Sequence, residues 1–146
     1  DVKPVNVQLI YSNRRNSVEQ IKTADLVVGG VLVTGAKAPR LVRREDLKSM
    51  QPGAVIVDVA IDQGGCVETI HATTHENPTY VVDGVIHFCV TNMPGAVPQT
   101  SSQAICAAIL PYVQRMATDK NWRKYEPLKV GINVEGGKIV HPALKA

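Results

Sequence analysis

Asp62 is the residue of this chain whose type and position best suit chemistry. It follows an apolar, β-branched run, and Gly64-Gly65 comes soon after it. A carboxylate at the end of a buried strand can hydrogen-bond a ligand or take part in proton transfer. The same position also suits an Asx turn or a helix cap, so spacing alone leaves both interpretations open. Asp58 lies inside the run and is interpreted as structural.

Other polar or glycine-rich positions also follow apolar runs. Asn92 carries an amide that could hydrogen-bond a carboxamide or a ribose, but it suits a turn as well. Gly29-Gly30 would let the backbone approach an adenosine, or would form a turn at the end of a strand. Lys37 is interpreted as an exposed lysine, because the pattern Gly-x-x-x-x-Gly-Lys-[Ser/Thr] is absent from the chain.

A metal site is not predicted. His71 and His75 have the i, i+4 spacing of some zinc sites, but that spacing requires a helix. The surrounding threonines and the pair Asn77-Pro78 oppose a helix there.

The elements that position these residues alternate between strands and helices. This order predicts an α/β fold built on a doubly wound parallel (Rossmann-like) sheet, with ligand contacts past the carboxyl ends of the strands. Asp83-Gly84 between β-formers predicts a hairpin, and Gly136-Gly137 predicts a second, smaller one. Strands are expected near residues 7–11, 26–28, 55–61, 80–82 and 85–90, and helices at 18–24 (capped by Ser17), 43–50 and 101–120 (kinked at Pro111).

The composition narrows the class of protein. With 146 residues and 45% hydrophobic content, the chain can build a real core and is not disordered. A net charge of +3 without interleaved aromatic residues argues against nucleic-acid binding. No apolar run is long enough for a membrane span, and no signal peptide is visible. Three widely spaced cysteines favour free thiols in a reducing compartment, and hence a cytoplasmic protein.

One expected motif is missing. A dinucleotide-binding fold opens with Gly-x-Gly-x-x-Gly after its first strand, which brings the pyrophosphate to a helix N-terminus. These 146 residues do not contain that pattern. The strands are therefore expected to be the later strands of the sheet, without the first βαβ unit.

Three segments together resemble the alanine dehydrogenase family. They read Gly-Ala-Lys-Ala-Pro-Arg-Leu-Val at 35–42, Met-Gln-Pro-Gly-Ala-Val-Ile-Val-Asp-Val-Ala-Ile-Asp-Gln-Gly-Gly-Cys at 50–66, and Asn-Met-Pro-Gly-Ala-Val-Pro-Gln-Thr-Ser at 92–101. The resemblance extends over essentially the whole chain and concerns the C-terminal part of that enzyme. It implies a domain boundary, with residues 1–99 in an NAD-binding domain and residues 100–146 returning to a substrate domain.

The resemblance also implies an activity and a set of site residues. The family interconverts L-alanine with pyruvate and ammonia, uses NAD, and is commonly a homohexamer. Asp62 matches a catalytic aspartate that also touches the nicotinamide end of the cofactor. Ser12 falls on the adenosine side. The implied cofactor-binding residues are Ser12, Val31, Leu32, Val59, Ala60, Ile61, Asp62, Val90, Thr91, Asn92 and Met93.

Some family residues have no counterpart here. The glycine-rich loop, a catalytic lysine and histidine, and a substrate-binding arginine all fall upstream of residue 1. His71 stands where many members have arginine. Arg115 and Asp119 occupy the positions of a metal pair reported in some members and would not form that site.

Two alternatives to a dehydrogenase remain. One is a non-catalytic NAD-binding or assembly fragment; the chain alone is expected to be inactive. The other is the NAD(H)-binding domain of a transhydrogenase, which shares the strand but typically shows Gly-Gly-Asn after it. Gln63 and Cys66 favour the dehydrogenase. The expected partners are small molecules and further copies of the complete enzyme, with no nucleic acid and no membrane.

Overall fold

The computed structural model describes residues 6–31, 33 and 37–145. The chain forms two compact units, one ending at Met93 and the other beginning at Pro94. The assignment of 1–99 and 100–146 to two functional domains stays a prediction. In the described part of the chain, no helix has the length and apolar character needed to cross a membrane.

The first unit is built on a four-stranded, mostly parallel sheet, which confirms the predicted α/β class. Its strands are β1 (Leu26–Gly29), β2 (Val55–Asp58), β3 (Thr79–Val82) and β4 (Val85–Phe88). They lie in the order β1-β2-β4-β3. β1, β2 and β4 are mutually parallel, and β3 pairs antiparallel with β4.

Strand β2 lies between two parallel neighbours and carries the centre of the core. Ile56 is fully buried, and its backbone is in register with Val27 on β1 and His87 on β4. Leu47 and Met50 pack into the same hydrophobic cluster. One face of β2 is buried through Ile56 and Asp58, and Val55 and Val57 on the other face are half-buried. The Val/Ile content suits this position, because β-branched side chains pack well on a pleated, partly buried surface.

Two short helices border the sheet, with limits that differ from the predicted ones. α1 spans Arg14–Ile21 and is capped by Asn13, whose side chain accepts the Asn16 N–H; Ser17 lies inside the helix and is not the cap. α2 covers only Arg44–Leu47. The Arg14 guanidinium holds α1 against α2 by donating two hydrogen bonds to the buried Asp46 carboxylate, one of them at 2.7 Å.

The predicted strand at residues 7–11 is wrong for this structure. The segment has no regular secondary structure. Leu9 and Tyr11 are 79% and 84% exposed. A strand needs a partner for its backbone hydrogen bonds, and no described strand pairs with this segment.

The hairpin predictions are confirmed. β3 and β4 are joined by Asp83 and Gly84, both with positive φ, as a tight two-residue hairpin turn requires. In the second unit, β5 (Val134–Glu135) and β6 (Lys138–Ile139) pair antiparallel around Gly136-Gly137.

The second unit contains the long helix that the sequence predicted. This helix, α3, spans Pro98–Thr118, begins with a proline in its first turn and includes Pro111. A short helix α4 (Glu126–Lys129) follows. Arg115 on α3 lies with its guanidinium 4.1 Å from the centre of the Tyr125 ring.

Candidate functional site

A cleft of about 290 Å³ opens past the carboxyl ends of β1 and β2. Ligands of open α/β sheets bind at this edge, because the loops that follow parallel strands converge there. Three of its lining residues are apolar, one is glycine, and two carry polar side chains. The lining residues are Gly30, Val31, Val59, Ala60, Asp62 and Gln63.

The loop after β2 is shaped by the buried carboxylate of Asp58. The strand ends at Asp58, and residues Val59–Gln63 form a 3-10 helix rather than a continuation of the strand. Asp58 is fully buried and accepts backbone N–H groups from Ala60 at 2.9 Å, Cys66 at 2.7 Å and Val67 at 3.3 Å. Its structural interpretation is confirmed: it fixes both ends of the loop that carries Asp62.

Two glycines allow the chain to pack closely around this carboxylate. A Cβ at Gly29 would collide with Cys66 Sγ and lie 3.3 Å from Asp58 Cγ. Gly65 has φ +71°, and a Cβ there would lie 2.8 Å from Ile70 Cγ2. A side chain at Gly29 would push Cys66 and its loop away from β1, and one at Gly65 would displace Ile70.

Asp62 is exposed on the 3-10 helix and lines the cleft. Within the described residues its carboxylate receives no hydrogen bond and forms no ion pair. The capping role that the sequence left open for it belongs to Asp58, which accepts the Ala60 N–H. Asp62 therefore carries a carboxylate without a partner among the described residues, at the mouth of a cleft, which is the arrangement expected of a ligand contact.

Gln63 is the lining residue that sequence reasoning did not place in the site. Its side-chain oxygen Oε1 is buried and has no hydrogen-bond partner in the described structure. Its backbone carbonyl, in contrast, accepts the Ala38 N–H at 3.2 Å. In the sequence, only its position next to Asp62 pointed to Gln63. The buried oxygen without a partner can be seen only in the structure.

The predicted adenosine contact, Ser12, lies in a second cleft of about 320 Å³. This cleft also contains residues of α1 and of β1, among them Gln20 and Val27, and the buried Cys66. Its walls are mainly apolar. Ser12 and Asp62 thus line two separate clefts in this structure, and the adenosine role of Ser12 stays a prediction.

The predicted second contact loop, residues 90–93, does not contribute to the cleft that contains Asp62. Val90 is buried in the core, whereas Thr91 and Asn92 are exposed. Asn92 has φ +54°, so it adopts the turn geometry that the sequence allowed for it. Of the remaining predicted contacts, Val31, Val59 and Ala60 line the cleft with Asp62, whereas Ile61 lies on the 3-10 helix but does not line it. Leu32 lies outside the described residues.

The two histidines with zinc-like spacing lie in a non-helical segment. The ring of His71 stacks on Tyr80, with 3.8 Å between the ring centres. The described ranges contain no group of three or more His, Cys, Asp or Glu residues arranged to hold a metal ion.

Two titratable side chains of the first unit, the buried Cys66 and the half-buried Tyr80, have raised pKa values. Burial, reinforced by the nearby Asp58 carboxylate, raises the pKa of Cys66 to about 11, so this thiol stays protonated at neutral pH. Burial likewise raises the pKa of Tyr80 to about 12. The Tyr80 hydroxyl donates to the Thr69 carbonyl at 3.2 Å and accepts the His71 N–H at 3.0 Å.

His87 is a fully buried histidine on β4 whose two ring nitrogens are both hydrogen-bonded. Nδ1 donates to the Val85 carbonyl at 3.0 Å, so in the neutral ring Nε2 accepts from the Thr69 hydroxyl at 2.8 Å. Burial lowers the pKa of His87, because it disfavours the charged ring. This histidine remains neutral when a solvent-exposed one would take up a proton.

His87 should therefore make the folded state less stable in mild acid. As pH falls through about 6.5, the unfolded chain binds a proton at this histidine and the folded chain does not. We expect the free energy of unfolding to fall by about 1 kcal/mol between pH 7.5 and pH 5.5. Urea unfolding at the two pH values measures this change.

The matched comparison uses two variants. His87→Gln should reduce the pH dependence, whereas His75→Gln, at an exposed histidine, should keep it. An equally steep dependence in His87→Gln would show that other groups cause it.

The sheet order and the cleft at its carboxyl edge define a Rossmann-like α/β domain. Within this class, the chain matches the family described as "Alanine dehydrogenase/PNT, C-terminal domain" over residues 1–142. The chain belongs to that family, as the sequence resemblance predicted.

Individual relatives agree with this assignment. The chain is 49% identical over 142 residues to the alanine dehydrogenase of Halomonas elongata, covering 94% of this chain and 38% of that protein. It is 48% identical over 149 residues to that of Methanococcus maripaludis, covering 99% of this chain and 40% of that protein. The chain thus spans about two-fifths of the length of these relatives.

Solved structures show the same relationship. An L-alanine dehydrogenase superimposes with a TM-score of 0.82 at 47% identity, over 97% of this chain and 40% of the other. A transhydrogenase from Sinorhizobium meliloti superimposes with a TM-score of 0.71 at 31% identity, over 90% of this chain and 36% of the other. The fold is shared with both, and the sequence is more similar to the dehydrogenase.

Proposed function

We propose that this chain is the NAD-binding, C-terminal part of an alanine dehydrogenase that interconverts L-alanine with pyruvate and ammonia. One observation carries the proposal: in a chain of this family, the Asp62 carboxylate, which has no partner among the described residues, lines a cleft past the carboxyl ends of β1 and β2. Relatives named alanine dehydrogenase support the substrate. The activity is proposed for a complete enzyme that contains this chain.

The cleft fits the nicotinamide end of NAD. Val31, Val59 and Ala60 offer apolar walls for a flat ring, and Asp62 and Gln63 offer polar groups. Gln63 Oε1 supplies an independent indication, because a buried acceptor without a partner suits a ligand that brings a donor. The residues proposed to hold the cofactor are Ser12, Val31, Leu32, Val59, Ala60, Ile61, Asp62, Val90, Thr91, Asn92 and Met93.

Bound NAD supplies the chemistry of hydride acceptance from the Cα of alanine. The role of the chain is to orient the reactants and to handle protons. We propose that Asp62, whose carboxylate oxygens have no partner within the described residues, holds the amino group of alanine and exchanges a proton with its nitrogen.

We also propose that the complete enzyme is a homohexamer acting in the cytoplasm. The hexamer rests on the family resemblance alone. The compartment is supported by three free cysteines, Cys66, Cys89 and Cys106, none of which forms a disulfide.

The experiment that tests the proposed function compares the 146-residue chain with the complete enzyme that contains it. We expect alanine-dependent NADH formation from the complete enzyme and none from the chain alone. The chain lacks the Gly-x-Gly-x-x-Gly turn that brings pyrophosphate to a helix N-terminus. Purified chain assayed at equal molar concentration, with the complete enzyme as positive control, provides the comparison.

Each outcome of this assay separates the alternatives. Turnover by the chain alone would show that the missing turn is dispensable. Absence of alanine-dependent turnover in the complete enzyme would contradict the dehydrogenase. Hydride transfer between NAD(H) and NADP(H) in its place would establish the transhydrogenase alternative.

A further inference from the structure

Gln63 carries an unmet hydrogen-bonding requirement at the cleft. It is the last residue of the 3-10 helix, adjacent to Asp62, and it lines the cleft of about 290 Å³. Among the side-chain nitrogen and oxygen atoms of the described residues, its Oε1 is the buried one without a partner. Leaving such an atom unpaired costs about 1–3 kcal/mol.

The residues that the structure describes do not supply the missing donor. The Gln63 backbone carbonyl is already used by the Ala38 N–H, which fixes the backbone at this point. The following N–H of Gly64 is bonded to the carbonyl of Ile61 at 2.9 Å and is not available either. An amide oxygen can only accept, so a ligand that satisfies it brings an N–H or O–H group. The Gln63 amide makes no side-chain hydrogen bond within the described residues, so it is free to turn its buried oxygen toward the cleft.

We propose that Gln63 Oε1 accepts a hydrogen bond from the carboxamide NH₂ of the nicotinamide ring and sets the orientation of that ring beside Asp62. This inference rests on the proposed function. The carboxamide is the N–H donor attached directly to the ring, and the apolar residues Val31, Val59 and Ala60 line the same cleft. Gln63 is thus a positioning and specificity residue that makes the site distinguish a carboxamide from other substituents at that ring position.

The test pairs one substitution with one cofactor analogue. Gln63→Met removes the acceptor and keeps a side chain of similar length. In reduced 3-acetylpyridine adenine dinucleotide, a methyl group replaces the carboxamide NH₂, so the proposed donor is absent. Isothermal titration calorimetry on the complete enzyme gives Kd for NADH and for the analogue without relying on turnover.

We expect Gln63→Met to weaken NADH binding by about fivefold to tenfold, as for the loss of one hydrogen bond. Its Kd for the analogue should change less than about twofold. Gln51→Met is the matched control: Gln51 precedes β2 at the opposite end of that strand from the cleft, and its amide donates to the Lys22 carbonyl. Both Kd values should stay at the wild-type level in this control.

The outcomes are distinct. Equal weakening of NADH and analogue by Gln63→Met would overturn the proposal, because the residue would then act on the fold or on another donor, such as a ribose hydroxyl. Unchanged NADH binding would overturn it as well. Binding of neither cofactor by the wild-type enzyme would overturn the proposed function itself. Gln63→Leu provides the same comparison if the methionine variant does not fold.

Discussion

Replacing Asp62 with asparagine will lower kcat of the complete enzyme by about 100-fold or more, with an unchanged melting temperature. A positioned acid or base typically contributes 10²–10⁴-fold to a rate, and a 100-fold loss corresponds to about 2.7 kcal/mol. An asparagine keeps the size and one oxygen but cannot exchange a proton with the substrate nitrogen. Steady-state kinetics of alanine oxidation measure the effect.

The structure also explains why the loss should be confined to catalysis. Asp62 is exposed and makes no hydrogen bond or ion pair with the described residues, so the fold does not depend on it. Asp25→Asn, at another exposed aspartate located before β1, is the matched control and should keep the wild-type kcat. A kcat within about threefold of wild type in Asp62→Asn, below about 1 kcal/mol, would show that Asp62 is not catalytic.

Among the substitutions proposed for this chain, Asp58→Ala will have the largest effect on stability. It will lower the free energy of unfolding by about 3–5 kcal/mol. The substitution leaves three backbone N–H groups, those of Ala60, Cys66 and Val67, without their acceptor. Each buried donor left unpaired costs about 1–3 kcal/mol, partly offset by water entering the space. Urea unfolding followed by circular dichroism measures the change.

Asp62→Ala is the matched control for stability, four residues along the same loop. With no partner to lose among the described residues, it should remain within about 0.5 kcal/mol of wild type. Substitution of Asp58 should therefore lower stability, because Asp58 determines the shape of the loop. Substitution of Asp62 should lower kcat and leave stability unchanged. Equal stability of Asp58→Ala and Asp62→Ala would contradict the role of Asp58 as the acceptor that holds the loop.

The sequence predicted the elements that depend on local chemistry. The Val/Ile run before Asp58 formed the central parallel strand, and Asp83-Gly84 formed the hairpin turn, because both patterns admit few alternatives. The strand prediction for residues 7–11 was wrong because strand pairing is not encoded locally. The pattern of this segment suits a strand, but strand formation depends on a neighbour that the pattern cannot reveal.

The candidate site was predictable only in part. Asp62 could be identified as a candidate from its position after a buried strand, and the sheet brought it beside Val31 in one cleft. Gln63 could not be found in this way, because its signal is a buried oxygen without a partner. The separation of Ser12 and of residues 90–93 from this cleft is also a property of the three-dimensional arrangement.

A crystal structure of the complete enzyme with bound NADH tests the central claim most directly, since that claim is the location of the nicotinamide. We predict that its ring lies in the cleft lined by Val31 and Ala60, with the Asp62 carboxylate beside it and its carboxamide hydrogen-bonded to Gln63 Oε1. A nicotinamide ring bound elsewhere, with this cleft empty, would contradict the proposed site.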